Sequence, residues 1–164
     1  MGTLNLGTGV TLSGSGSTLS LTGSLGVSGN VTKSAQPAFQ TTGTNYTQTT
    51  GSVVIIPSTV VFITGFTHSS GVFTVPISGT YLFGFWGLSY PHGTEISDVK
   101  AYKNGSGAGQ LVQFNGTASN HESVGGTILL DMSASDTFSW VYSRSSGSAA
   151  AYSSQWNMWG YLIG

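Results

Sequence analysis

The stretch Thr80-Tyr81-Leu82-Phe83-Gly84-Phe85-Trp86 decides the fold. Read as an extended chain, it puts Tyr81, Phe83 and Phe85 on one face and Leu82 and Trp86 on the other. Working outward, Ile77-Ser78-Gly79 before it is a turn signal. Thr137-Phe138-Ser139-Trp140-Val141-Tyr142 repeats the alternation, with Phe138, Trp140 and Tyr142 on one face. Thr127-Ile128-Leu129-Leu130 reads as a buried strand. The run from Gln155 to Ile163 becomes apolar on both faces, as a buried terminal strand does. Lys103-Asn104-Gly105, Asn115-Gly116 and Ser145-Ser146-Gly147 punctuate the strands. No window carries helical periodicity of useful length. Many short strands with frequent turns predict an all-β sandwich or jelly roll.

Composition narrows the function. Ser, Thr and Gly fill 72 of the 164 positions, and charged residues make up 5%, against about 25% in an ordinary soluble domain. Four basic residues cannot build a phosphate-binding face, so no nucleic-acid partner is expected. The most apolar run, Val53 to Phe62, is broken by Pro57-Ser58-Thr59 and is too short to span a bilayer, so no membrane insertion is expected. The absence of Cys excludes disulfides and thiolate chemistry. Residues 34–94 hold no charged side chain at all. A net charge of −1 gives a free monomer little colloidal protection. This composition suits a chain whose apolar surface is buried against copies of itself.

The chain changes character near residue 35. Residues 1–35 contain 21 Ser, Thr or Gly, one charge (Lys33) and no aromatic, whereas all 19 aromatics lie between Phe39 and Tyr161. Within the first segment the pairs Leu4/Leu6, Val10/Leu12, Leu19/Leu21 and Leu25/Val27 alternate with polar residues and recur at spacings near six, followed by a lone Val31. Short strands between Gly/Ser turns give that pattern, as in β-helix-like rungs. A flexible linker is the other reading. Nine Val and Leu side chains cannot offset the ordering entropy of 35 residues in one copy. A folded stem is therefore expected only in an intertwined assembly or against another protein. Two parts follow: a β-rich attachment segment at 1–35 and a head at 36–164.

In the head, Gly71-Val72-Phe73-Thr74-Val75-Pro76-Ile77-Ser78-Gly79-Thr80-Tyr81-Leu82-Phe83-Gly84-Phe85 resembles the pattern Gly-x-Phe-x-x-Pro-x-x-Gly-x-Tyr-x-Phe-x-aromatic. That pattern belongs to the globular head of the complement component with the collagen stalk, which shares its jelly roll with tumour necrosis factor. Val99-Lys100-Ala101-Tyr102-Lys103-Asn104-Gly105 resembles a second element of that family. Gly126–Leu130 with Ser135-Asp136-Thr137-Phe138 resembles a third, and Trp159-Gly160-Tyr161-Leu162-Ile163 resembles the closing strand. Pro37-Ala38-Phe39 stands where the first strand begins. The matches are in order and span about residues 36–164. The resemblance implies a jelly-roll homotrimer with one sheet of each head facing the threefold axis, no enzyme activity, and recognition through outer loops. The chain departs from the animal pattern in having no Gly-X-Y repeat, no Cys and no secretory signal. Its Gly/Ser stem with a β head looks like bacteriophage fibres, spikes and capsid-surface proteins.

Candidate residues follow. Tyr81, Phe83, Phe85, Phe138, Trp140, Trp159, Tyr161 and Ile163 are expected to pack the core or the trimer axis. Leu4, Leu6, Val10, Leu12, Leu19, Leu21, Leu25 and Val27 are expected to pack the stem. Tyr90, His92, Phe114 and His121 lie nearer turns and are the candidate ligand contacts, since a ring can stack on a sugar. No catalytic residue is expected. There is no Gly-x-Ser-x-Gly elbow, and the near-neighbour acids Glu95/Asp98 and Asp131/Asp136 read as solubilising strand-end charges. Gly105-Ser106-Gly107-Ala108-Gly109 lacks the Lys-Ser/Thr of a phosphate loop. Some relatives hold Ca²⁺ with acidic loops, but those acids find no residue-by-residue match here, so neither metal nor cofactor is expected. The expected role is a trimeric virion structural protein. It would be made in the host cytoplasm, attached to another virion protein through residues 1–35, and recognise host-surface carbohydrate. A cellular lectin or adhesin with the same head is the alternative, and a jelly-roll hydrolase a third.

Overall fold

Alternation of aromatic and small residues becomes thirteen strands in the computed structural model, which describes residues 36–44, 46–48, 51–90, 96–115, 122–144, 149–151 and 155–163. The stem candidates Leu4 to Val27, together with His92 and His121, lie outside the described residues. The strands are β1 (Ala38–Thr44), β2 (Tyr46–Gln48), β3 (Gly51–Val54), β4 (Pro57–Thr64), β5 (Thr67–Ser69), β6 (Val72–Thr74) and β7 (Gly79–Tyr90). They continue as β8 (Ile96–Lys103), β9 (Ser106–Asn115), β10 (Glu122–Met132), β11 (Thr137–Arg144), β12 (Ala149–Ala151) and β13 (Asn157–Leu162).

Two antiparallel sheets form a jelly-roll sandwich. The first runs β4-β1-β13-β7-β10, with β12 joining β7 beyond β13 and β2 pairing β12. The second runs β5-β6-β11-β8-β9, with β3 joining β11 beyond β6. The two strands with the clearest alternation, β7 and β11, sit inside their sheets and send Tyr81, Phe83, Phe85, Phe138, Trp140 and Tyr142 into the space between.

Stacked rings pin the sheets together. Phe83 of the first sheet lies on Phe138 of the second, with centroids 3.8 Å apart and planes 4° apart. Phe39 of β1 lies on Phe73 of β6 at 4.0 Å and 11°. Trp140 stands edge-on to Phe138 at 4.7 Å and 89°. Such pairs add roughly 0.5–1.5 kcal/mol each beyond their buried area. Gly160 makes room for them: a Cβ there would lie 2.6 Å from both the Phe39 and Phe83 rings.

A polar knot closes one end. The β8–β9 hairpin turns through Asn104 (φ 51°) and Gly105 (φ 75°), the left-handed pair that a two-residue turn with this twist demands. The Asn104 side chain donates to Asp136 Oδ1 and accepts from the Thr137 N–H, both at 2.8 Å. Lys103 Nζ reaches Asp136 Oδ2 at 3.0 Å and the Asp131 carbonyl at 2.8 Å. The Lys-Asn-Gly and Asp elements that stand out in the sequence are therefore two halves of one structural joint.

Candidate functional site

The register places a second set of side chains on the outside of the first sheet. Leu129, Leu82, Tyr161, Ala38 and Thr64 form one row across β10, β7, β13, β1 and β4. Thr127, Gly84, Trp159, Gln40 and Phe62 form the next, and Gly125, Trp86, Asn157, Thr42 and Thr59 the third. None of these fifteen residues is charged. Leu129 (56% exposed), Phe62 (47%) and Trp86 (43%) present large apolar surface to water. Large exposed apolar side chains spread over a sheet face without charge point to an interaction face.

Local chemistry shapes that face. Gly84 leaves a gap in the second row, and the Trp159 indole lies across it. A Cβ at Gly84 would fall 2.5 Å from the ring. Trp159 thereby caps a glycine that would otherwise expose backbone. Beyond the face, β4 is the end strand and pairs β1 alone among the described residues. Val60, Val61, Phe62 and Ile63 are all exposed there, on both sides of the strand.

Of the packing candidates, Tyr81, Phe83, Phe85, Phe138 and Trp140 are wholly buried in the core. Trp159, Tyr161 and Ile163 are not: Trp159 is half-buried, and Tyr161 and Ile163 are exposed at 38% and 47%. Both faces of the closing strand are apolar in sequence, but its core face is Met158 and Gly160 rather than Trp159 and Tyr161.

Among the ligand-contact candidates, Phe114 needs correction. It belongs to β9, is 9% exposed and packs in the core beside Tyr142, with ring centroids 6.2 Å apart. The neighbouring Asn115-Gly116 reads as a loop, but the strand runs through Asn115 and pairs Phe114 with the buried Ser97. The alternation of Val112 and Phe114 was the signal for a core-facing strand. Tyr90 ends β7 and pairs Ala150, and its side chain is not described.

The acids are held structurally. Asp136 also accepts from the Ser133 N–H at 2.8 Å. The Asn104 amide, the Ser133 N–H and Lys103 together lower its pKa to about 2. Asp131 Oδ1 accepts from the Thr80 hydroxyl at 2.6 Å. Asp98 pairs with Lys100 at 3.2 Å. His68 stacks on Phe73 at 4.5 Å, and its Nε2 accepts from the Gly71 N–H at 3.2 Å. Burial lowers the His68 pKa. Among the described residues no group of three or more His, Asp or Glu converges in metal-binding geometry.

Comparison with solved structures finds the same architecture in murine APRIL, a jelly roll of the tumour necrosis factor family. The alignment covers 77% of this chain and 99% of the chain in the APRIL structure, with a TM-score of 0.54 and 14% identity. The likeness is one of fold, and the head is a tumour-necrosis-factor-like jelly roll. No protein-family model matches the chain, and no curated protein matches it.

Proposed function

We propose that the head is a non-enzymatic homotrimeric structural domain on a virus particle: the end of a phage fibre or spike, or a capsid decoration. Residues 1–35 attach it to another virion protein, and host-surface carbohydrate is the ligand of its outward parts. The observation that carries this reading is the charge-free apolar face of the first sheet. Trp86, Leu129 and Phe62 lie on it, and a threefold contact removes them from water. At roughly 25 cal/mol per Å² of apolar area buried, such a face supplies the driving force for association. The tumour-necrosis-factor-like fold of the head is compatible with trimeric packing. The placement on a virion rests on the Gly/Ser-rich segment before a head almost free of charge.

Light scattering after size exclusion tests the assembly. The expected mass is about 51 kDa, three times the 16.9 kDa chain, as a closed ring of three copies joined by one repeated heterologous contact requires. Leu129→Lys and Trp86→Lys each place a cation in the buried face and return the mass to that of a single chain. A folded wild-type protein with the mass of one chain at micromolar concentration overturns the reading. Labelling of intact particles by an antibody raised against residues 36–164 tests the location, and unlabelled particles refute it.

A further inference from the structure

The second sheet has its own outer face, and a groove crosses it. Because β11 turns Phe138, Trp140 and Tyr142 inward, Thr137, Ser139 and Val141 point out. On one edge of β11, β6 pairs at Thr137 and Phe138 and β3 pairs from Val141 to Arg144. Neither strand pairs with Ser139, and the ladder there is bridged by the Ile55 N–H donating to the Trp140 carbonyl at 2.8 Å. On the other edge, Tyr102 of β8 stands directly opposite Ser139. The gap opens a groove of about 420 Å³, within the roughly 300–1,000 Å³ of small-molecule sites. Ser139 and Val141 lie low in it, and Val54, Val72 and Tyr102 line it.

The lining selects the ligand chemistry. No described residue lining the groove carries a charge, and Lys100, opposite Val141, is already paired with Asp98 at 3.2 Å, so a phosphate, a metal ion or an acidic sugar would lose hydration without a free opposite charge to replace it. Valine methyls and a tyrosine ring offer apolar contact, while the Ser139 and Thr137 hydroxyls and the Tyr102 phenol offer hydrogen bonds. A pyranose has that same division, with C–H groups on its faces and hydroxyls at its edge. We infer that this groove binds one neutral hexopyranose unit of a glycan. The inference rests on the reading of the head as a displayed, carbohydrate-recognising domain. It places the sugar on the sheet face of Val54, Val72, Tyr102 and Ser139, and not on the turn-proximal Tyr90, His92 and His121.

Valine-methyl NMR on the full chain tests it, with titrations of the methyl glycosides of glucose, galactose, mannose and N-acetylglucosamine. The expected result is a saturable shift of the Val54, Val72 and Val141 methyls with at least one of the four. Tyr102→Ala and Ser139→Ala should each weaken that binding by about tenfold, or ~1.4 kcal/mol. Ser139→Ala removes a single hydroxyl, so it keeps the test interpretable if Tyr102→Ala fails to fold. Two results overturn the inference outright: no saturable shift with any of the four sugars, even where N-acetylneuraminic acid responds, or undiminished binding in folded variants. Shifts confined to methyls outside the groove overturn this site yet leave carbohydrate recognition standing. A one-chain mass in light scattering refutes the trimer independently, because the groove lies within one protomer.

Discussion

Phe83→Ala is the sharpest test of how the sandwich is held. Phe83 is wholly buried, and its ring stacks on Phe138 at 3.8 Å and on Tyr81 at 5.8 Å. It also meets Trp140 edge-on at 6.4 Å. Truncating a buried Phe costs about 3–5 kcal/mol. The upper half of that range applies here, because two stacked pairs are lost and the adjacent Gly160 has no side chain to fill the space. At roughly 2–4 °C per kcal/mol for a chain of about this size, the melting temperature falls by on the order of 8–20 °C. Near-UV circular dichroism and urea unfolding at one fixed protomer concentration give both values. A second substitution sharpens the test. Gly160→Ala alone drives a methyl into Phe39 and Phe83 at 2.6 Å, an overpacking cost of ~1–3 kcal/mol. With Phe83 already truncated, one of those two clashes is gone, so the double variant should be less destabilised than the sum of the singles. A loss below about 1 kcal/mol for Phe83→Ala, or strict additivity in the cycle, refutes the cross-sheet stacking account.

The other predictions concern the joint and the edge hairpin. Gly105→Ala meets no atom within 4 Å but must hold φ at 75°, so its cost is conformational, about 1–2 kcal/mol; a neutral urea midpoint contradicts the turn assignment. Asp136 has its pKa lowered from 3.8 to about 2, so its stabilising effect is complete above pH 3.8 and is lost as the pH falls toward 2. Asp136→Asn should flatten acid unfolding in that window, and an unchanged profile rejects the assignment. His68 has its pKa lowered from 6.5 by burial, so its contribution is complete above pH 6.5 and declines as the pH drops below it. Protonation removes the acceptor for the Gly71 N–H, and hydrogen exchange at Gly71 should accelerate there beyond its intrinsic pH dependence. Unaltered protection at Gly71 tells against that contact.

Period-two alternation was legible wherever one face was distinctly aromatic. Tyr81, Phe83 and Phe85 announce β7 without help from tertiary structure. Which side of a strand meets the core is harder when both sides are apolar. Trp159 and Tyr161 carry far more aromatic surface than Met158 and Gly160, yet the smaller pair faces inward. The core at that point is already filled by Phe39 and Phe83, and only a glycine fits beneath them. The run from Val53 to Phe62 misleads in the same way. It is the most apolar stretch of the chain, but much of it forms β4 at the end of a sheet, where Val60 to Phe62 remain exposed. Hydropathy reports a tendency to be covered, and the cover here is not the protomer's own core. The groove at Ser139 had no sequence signature, because it arises from two short strands that stop on either side of Ser139 and Trp140.

The bare edge of β4 has a consequence for how the protein is made. Among the described residues Val60 to Ile63 stay uncovered beside a backbone edge of β4 that pairs no strand, and such an edge accepts any extended strand that reaches it first. Closure with two sister chains, which the trimer reading requires, stops at three copies, whereas edge-to-edge pairing adds chains without limit. Translation of many copies in a short burst crowds uncovered edges together and favours the open product. Slower synthesis lets each chain close with its partners before such edges accumulate. Yield of soluble protein should therefore fall as synthesis rate rises.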